Sequence, residues 1–347
     1  MNEIISRFLK ERRLSEGEYK LLIESFSEEN AEILRNEAVR LRKEVYGNSV
    51  FIRGLIEISN FCKNDCLYCG IRRSNKSCDR YRLTEEEILS CCDSGHSLGF
   101  RTFVLQGGED PYFSVDVLLP LIREIKKRYP DSALTLSLGE KSKEEYEALC
   151  NAGADRYLLR HETADSTHYS RLHPENLALK NRMRCLYDLK DIGFQTGAGF
   201  MVNSPFQTAD TLAKDLKFIE EFSPEMCGIG PFIPHKDTPF KDFPPGSVDF
   251  TCYLLSVIRI MHPEILLPST TALGTLEKDG REKGILSGAN VIMPNLSPER
   301  AKSRYMLYNN KLSSGAESAL MLNSLKEKMN NIGYEIVCDR GDIRKGK

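Results

Sequence analysis

Three cysteines, Cys62, Cys66 and Cys69, stand at a C-x3-C-x2-C spacing in the stretch NFCKNDCLYCG, directly after a strand-like run. Thiolates set this close on one loop can converge on a soft metal centre, and iron–sulfur clusters are ordinarily held by cysteine thiolates. Three ligands leave one iron of such a cluster without a protein partner, and an open coordination position marks a site that does chemistry. The same three residues also fit a zinc knuckle completed by a distant ligand, although no second C-x2-C or H-x3-H follows to close a tetrahedral site. The other eight of the eleven cysteines are scattered and read as small buried hydrophobes.

Elements that could position this loop follow from periodicity. Residues 1–47 read as helices: Ile4, Ile5, Phe8 and Leu9 form one apolar stripe, Ser15 is an N-cap for a second helix, and a third spans 29–45. From residue 50 the pattern changes to strands at 50–59, 101–106, 133–138, 156–162, 196–202, 228–233, 265–272 and 290–295, with helices between them. Eight near-continuous apolar strands alternating with helices predict an α/β (β/α)8 TIM barrel over 48–296. Residues 1–47 form an N-terminal helical extension, and 297–347 a C-terminal helical tail that closes the barrel. Active sites of such barrels lie at the C-terminal strand ends, so the cysteine loop, QGGEDP (106–111), SLGE (137–140), RHET (160–163) and the ends near 201–204, 231–235, 270–272 and 293–295 should share one mouth. His173 and His235 sit in proline-containing loops and are expected to be solvated or turn residues.

Formal charge is −2, and the 48 basic residues form no stripe or tail, which argues against a nucleic-acid partner. The first twenty residues lack the apolar core of a signal peptide, and no run of eighteen apolar residues occurs, so a cytoplasmic protein without membrane attachment is expected.

The cysteine triplet after the first strand, with Tyr68 before the third cysteine and GGEDP after the second strand, resembles the radical SAM superfamily. The resemblance implies one 4Fe-4S cluster on Cys62, Cys66 and Cys69, whose open iron is chelated by the amino and carboxylate groups of S-adenosylmethionine, and reductive cleavage to a 5′-deoxyadenosyl radical. The segments RYRLTEEEI, VLQGGEDPY, TLSLGE, AGADRYLLRHETA, GAGFMV, GIGPFIPHKDTP, TTALGT and GANVIMPN are similar, in order and over about residues 35–308, to the FeFe-hydrogenase maturase HydE, in the biotin synthase and methylornithine synthase branch.

That narrower resemblance implies a small organometallic substrate, an iron complex carrying cysteine, carbonyl and cyanide ligands. It also implies a reductant such as ferredoxin or flavodoxin and the other hydrogenase maturases as partners. It assigns Tyr68, Gly107, Gly108, Glu109, Thr135, Ser137, Glu162, Arg182, Met201 and Ile229 to S-adenosylmethionine, and Arg160, His161, Thr270, Thr271, Met293, Tyr305 and Tyr308 to the substrate cavity. Residues 300–347 contain only Cys338, so the second cluster that many family members carry is not expected. The chain also departs at Gly107, where the family has serine, and at NSPFQT (203–208), where it is glycine-rich. These departures leave open a paralogue acting on an amino acid or thioether.

Overall fold

The computed structural model describes residues 3–312 and 321–344, so residues 313–320 and 345–347 of the expected C-terminal tail lie outside the described residues. Its strands are β1 (Ser49–Ile52), β2 (Gly54–Ser59), β3 (Thr102–Gly107), β4 (Ala133–Ser137), β5 (Arg156–Leu158), β6 (Gln195–Ala198), β7 (Met201–Val202), β8 (Met226–Cys227), β9 (Gly230–Pro231), β10 (Val291–Ile292) and β11 (Glu335–Val337).

A six-stranded parallel sheet in the order β2-β3-β4-β5-β6-β8 forms most of the barrel wall. Isolated parallel bridges complete the circuit: Met226 to Leu266, Pro268 to Val291, and Leu55 to Asn295. The segment expected as a seventh strand thus takes part through single residues. Pro268 has no N–H to give to a ladder, and from Thr270 onward the chain turns into the helix Thr271–Leu276, with Thr270 as its N-cap. The strand expected over 265–272 is corrected accordingly.

Two long apolar runs are also broken. The run 50–59 divides at Arg53: β2 enters the barrel, whereas β1 lies between β10 and β11 in a separate three-stranded sheet. The run 196–202 divides at Gly199, whose φ is +152° and where a Cβ would lie 2.1 Å from the Gly228 carbonyl oxygen. Only glycine lets the two backbones approach so closely. The strand expected over 156–162 is β5, which stops at Leu158.

Helix starts are legible in local chemistry. Thr84 caps Glu85–Ser97 through a capping box, its N–H donating to Glu87 Oε2 at 2.9 Å and its Oγ1 accepting from Glu87 N at 3.3 Å. In front of the barrel, Glu3–Glu11, Glu16–Glu24 and Glu28–Tyr46 form the three expected helices. The second packs on Ala209–Phe222 and the third on Val248–Met261. Tyr19 Oη donates to Glu220 Oε2 at 2.6 Å, tying the preamble to the barrel. No described helix is long and apolar enough to cross a membrane.

Candidate active site

All eight strand-end segments contribute to one cavity of about 340 Å³. Its wall includes Cys62, Cys66, Cys69 and Tyr68 from the cysteine loop, Gly107, Gly108 and Glu109 after β3, and Ser137 at the end of β4. Arg160, Glu162, Arg182, Met201, Thr270, Thr271, Met293, Tyr305 and Tyr308 line it as well. Three expected residues stand outside this wall: Thr135, one pleat repeat below Ser137 on β4, Ile229, in the core, and His161, fully buried. His161 Nδ1 accepts from Gly199 N at 3.3 Å, and its Nε2 lies 3.4 Å from Asp215 Oδ1. The ring therefore braces the strand end from behind.

The cysteine loop is held by its own polar residues. Asp65 accepts from Arg72 Nε at 2.8 Å and from Ser74 N at 3.0 Å, and the Arg72 bond holds its carboxyl well below the usual carboxylate range. Asn60 Nδ2 donates to the carbonyls of Asp79 at 2.8 Å and Arg304 at 2.9 Å, and Gly70 N donates to Leu307 O at 2.8 Å. The segment 304–309 is therefore fastened over the loop.

His173, expected to be a solvated or turn residue, is buried beneath this loop. Its Nδ1 lies 3.0 Å from the Tyr169 carbonyl, which can only accept, so Nδ1 carries the proton and Nε2 is left to accept from Tyr68 Oη at 3.2 Å. Burial lowers its pKa to about 3, keeping the ring neutral. His235 is buried too, although it does serve a turn, its carbonyl accepting from Thr238 N at 3.1 Å.

Two glycines are required by space. A Cβ on Gly108 would stand 2.2 Å from the Phe61 carbonyl oxygen and 2.8 Å from Cys62 Cβ, so the strand end meets the cysteine loop backbone to backbone. Gly139, at φ +77°, cradles Glu109; a Cβ there would fall 2.0 Å from Glu109 Cγ.

The charged groups do not form the simple Glu162–Arg182 pair that strand-to-helix geometry would allow. Arg182 Nε donates to Glu140 Oε1 at 2.6 Å, its Nη1 to the Arg160 carbonyl at 2.8 Å, and Nη2 lies 3.8 Å from Glu109 Oε1. Glu162 adopts φ +66°, a strained conformation for a non-glycine residue. Arg160 Nη2 lies 3.2 Å from Glu162 Oε2, close enough for an ion pair but misdirected for a hydrogen bond. Arg160 Nε and Nη2, Glu162 Oε2, Thr270 Oγ1 and Thr135 Oγ1 are buried without hydrogen-bond partners. Such groups cost free energy unless a ligand meets them.

Sequence reasoning missed Glu57 and Lys311, which also line the cavity beside the expected Gln106. Glu57 looks like one residue of an apolar strand, and Lys311 lies 254 positions away. The one available signal was a carboxylate in the middle of VFIRGLIEIS.

A profile of the Radical SAM superfamily matches residues 56–219. The FeFe hydrogenase maturase subunit HydE of Thermotoga maritima is 47% identical over 281 residues, covering 81% of this chain and 80% of that protein. The 3-methylornithine synthase of Methanosarcina acetivorans is 27% identical over 292 residues, covering 81% and 79%. The crystal structure of methylornithine synthase (PylB) superposes with a TM-score of 0.84 at 24% identity, covering 96% of this chain and 97% of that one.

The family implies a 4Fe-4S cluster and S-adenosylmethionine, and the residues present fit them. Three free thiols of one loop line the cavity, and Gly108 leaves room at Cys62. Burial pushes the Cys69 thiol up to about 12 and the Cys66 thiol well above the usual range, so metal charge is needed to hold them as thiolates. Among the described residues, no three His, Cys, Asp or Glu side chains converge on a single ion, the geometry a zinc knuckle would need. A cubane takes its cysteines on separate irons. This chain belongs to the radical SAM superfamily of enzymes and, within it, to the HydE family.

Proposed function

We propose that this enzyme binds one 4Fe-4S cluster through Cys62, Cys66 and Cys69. In this reading it acts on a small cysteine-ligated iron carbonyl/cyanide complex during assembly of the FeFe-hydrogenase cofactor. The observation that carries the reading is the shared cavity, whose wall joins three thiols of one loop to Arg160 Nε and Nη2 and the Thr270 hydroxyl, which lack hydrogen-bond partners. When bound, the cluster and S-adenosylmethionine supply a 5′-deoxyadenosyl radical.

The chain's own residues bind, orient and exclude water. Glu109, steadied in the Gly139 cradle, presents a carboxylate beside the cysteine loop to a methionyl ammonium. Arg182, fixed by Glu140, and Glu162, set by its left-handed backbone, address the rest of that cofactor. Arg160, Thr270 and Thr271 offer donors to an anionic substrate. Tyr305 and Tyr308, brought in by the segment fastened to Gly70, screen the radical from solvent. A cytoplasmic setting, ferredoxin or flavodoxin as electron donor and the other maturases as partners complete this reading. Nucleic acid and membrane have no part in it.

Anaerobically reconstituted protein should form 5′-deoxyadenosine only with reductant and should restore an extract lacking its hydrogenase maturase. Cys66→Ser should lower that cleavage at least about a thousandfold. Cluster-loaded protein that binds S-adenosylmethionine yet never cleaves it would end this reading.

A second reading, a paralogue acting on an amino acid or thioether, is favoured by the loop 203–208. Asn203 and Phe206 hold φ of +55° and +69° there. Glycine would meet that backbone without strain, yet Phe206 stands there against Arg171, 3.4 Å from ring centroid to guanidinium carbon. Cleavage retained together with failure to restore the extract selects this reading.

A further inference from the structure

Glu57 lies two residues before the C-terminal end of β2, and its side chain is fully buried. Both carboxylate oxygens are engaged: Oε1 accepts from Lys311 Nζ at 2.6 Å and Oε2 from Asn295 Nδ2 at 2.9 Å. Its own N–H donates to Ser297 Oγ at 2.8 Å, so the anion is anchored at both backbone and side chain. Lys311 arrives from the segment beyond Tyr308, with its side chain 7% exposed and its ammonium 5.2 Å from the Tyr305 ring centroid.

An ammonium carries three N–H donors. Among the described residues Glu57 is the one hydrogen-bond acceptor at Lys311 Nζ, which leaves two donors for an occupant of the cavity. Both Glu57 and Lys311 line the cavity. A buried ion pair of this kind recovers its desolvation cost only when its remaining donors are also satisfied. An occupant supplying anionic oxygens would do that, while Glu57, already holding two donors, serves to aim the lysine.

We propose that Lys311 binds the carboxylate of the substrate, positioned by Glu57. This rests on the reading above, in which the substrate carries a cysteine, and it adds the group by which that cysteine is recognised. Thiol-capped probes isolate the carboxylate: S-methyl-L-cysteine and its decarboxylated counterpart, 2-(methylthio)ethylamine. Each is titrated calorimetrically into cluster-loaded enzyme saturated with S-adenosylmethionine and kept without reductant, so that the cofactor's own carboxylate pocket is filled.

The native enzyme should prefer S-methyl-L-cysteine by at least about tenfold, the size of a charge-assisted hydrogen bond. Lys311→Met should bring the ratio of the two affinities close to one, and Lys311→Arg should keep part of it. Because the comparison is made within each variant, a lysine that only props the wall would weaken both probes together, and that result overturns the proposal. So would a native enzyme that does not discriminate between the probes or binds neither. Lys311-dependent discrimination in an enzyme that cannot restore hydrogenase maturation leaves the carboxylate site standing and removes the maturase reading alone.

Discussion

Arg156 and Arg160 lie four residues apart on one chain segment and meet opposite fates. Arg156, at the N-terminal end of its strand, has no solvent exposure and all three guanidinium nitrogens engaged. Nε donates to Gln195 Oε1 at 3.2 Å, Nη1 to Thr102 Oγ1 at 3.2 Å, and Nη2 to Arg340 O at 2.8 Å and Asp342 Oδ1 at 2.7 Å. Arg160, past the C-terminal end, leaves Nε and Nη2 without hydrogen-bond partners. The barrel closes one end of its strands with groups of its own and holds the other end ready for a ligand. Stability and activity should therefore be separable by mutation along a single strand.

The strongest test of that separation is Arg156→Met. It should lower unfolding free energy by about 2–4 kcal/mol, because several charge-assisted bonds go while Asp342, 42% exposed, can return to water. Activity per folded molecule should hold. Denaturant titration and assay of the same preparation decide it, and a specific activity that falls alongside stability would break the comparison.

Arg160→Met should do the reverse. Turnover of the maturation substrate is expected to drop about 10–100-fold while the unfolding midpoint moves little, because Arg160 Nε and Nη2 make no hydrogen bonds within the protein and Nη2 meets Glu162 only in a misdirected contact. A large loss of stability here would mean that the mouth is built like the floor.

The smallest effect concerns pH. His173 is held neutral, with its pKa near 3 against about 6.5 unfolded, so between those values the unfolded chain binds more protons. Its contribution is fully present above about pH 6.5 and fades as pH falls. Between pH 7 and 5 stability should drop by about 1–2 kcal/mol on its account. His161 acts in the same direction, so the informative quantity is the difference between native protein and His173→Gln. Identical pH slopes for the two would show that the tyrosine–histidine support under the cysteine loop carries no protonation energy.

Residue types gave up the mouth of the barrel more readily than its walls. Polar strand ends are costly in a core, and with three closely spaced cysteines and paired glycines beside them their placement announced a cavity before any packing was known. What stayed hidden depended on geometry. Nothing local says that Arg53 splits one apolar run between two sheets, although Pro268 could have warned that 265–272 would not stay a strand. His161 carries the same letter whether it faces the cavity or, as here, Asp215 behind the wall. Glu57 and Lys311 could not be joined by reading along the chain, because their contact exists only once the barrel is closed.

The fastening of segment 304–309 over the cysteine loop has a consequence in time. Asn60 waits for an acceptor 244 positions further along, and Gly70 for one at Leu307. At roughly 5–20 residues per second, a ribosome needs on the order of 10–50 s to bridge that distance. Through that interval the three thiols have left the synthetic machinery without their cover. The loop therefore stays open on one side until the covering segment has been made and folded back onto it.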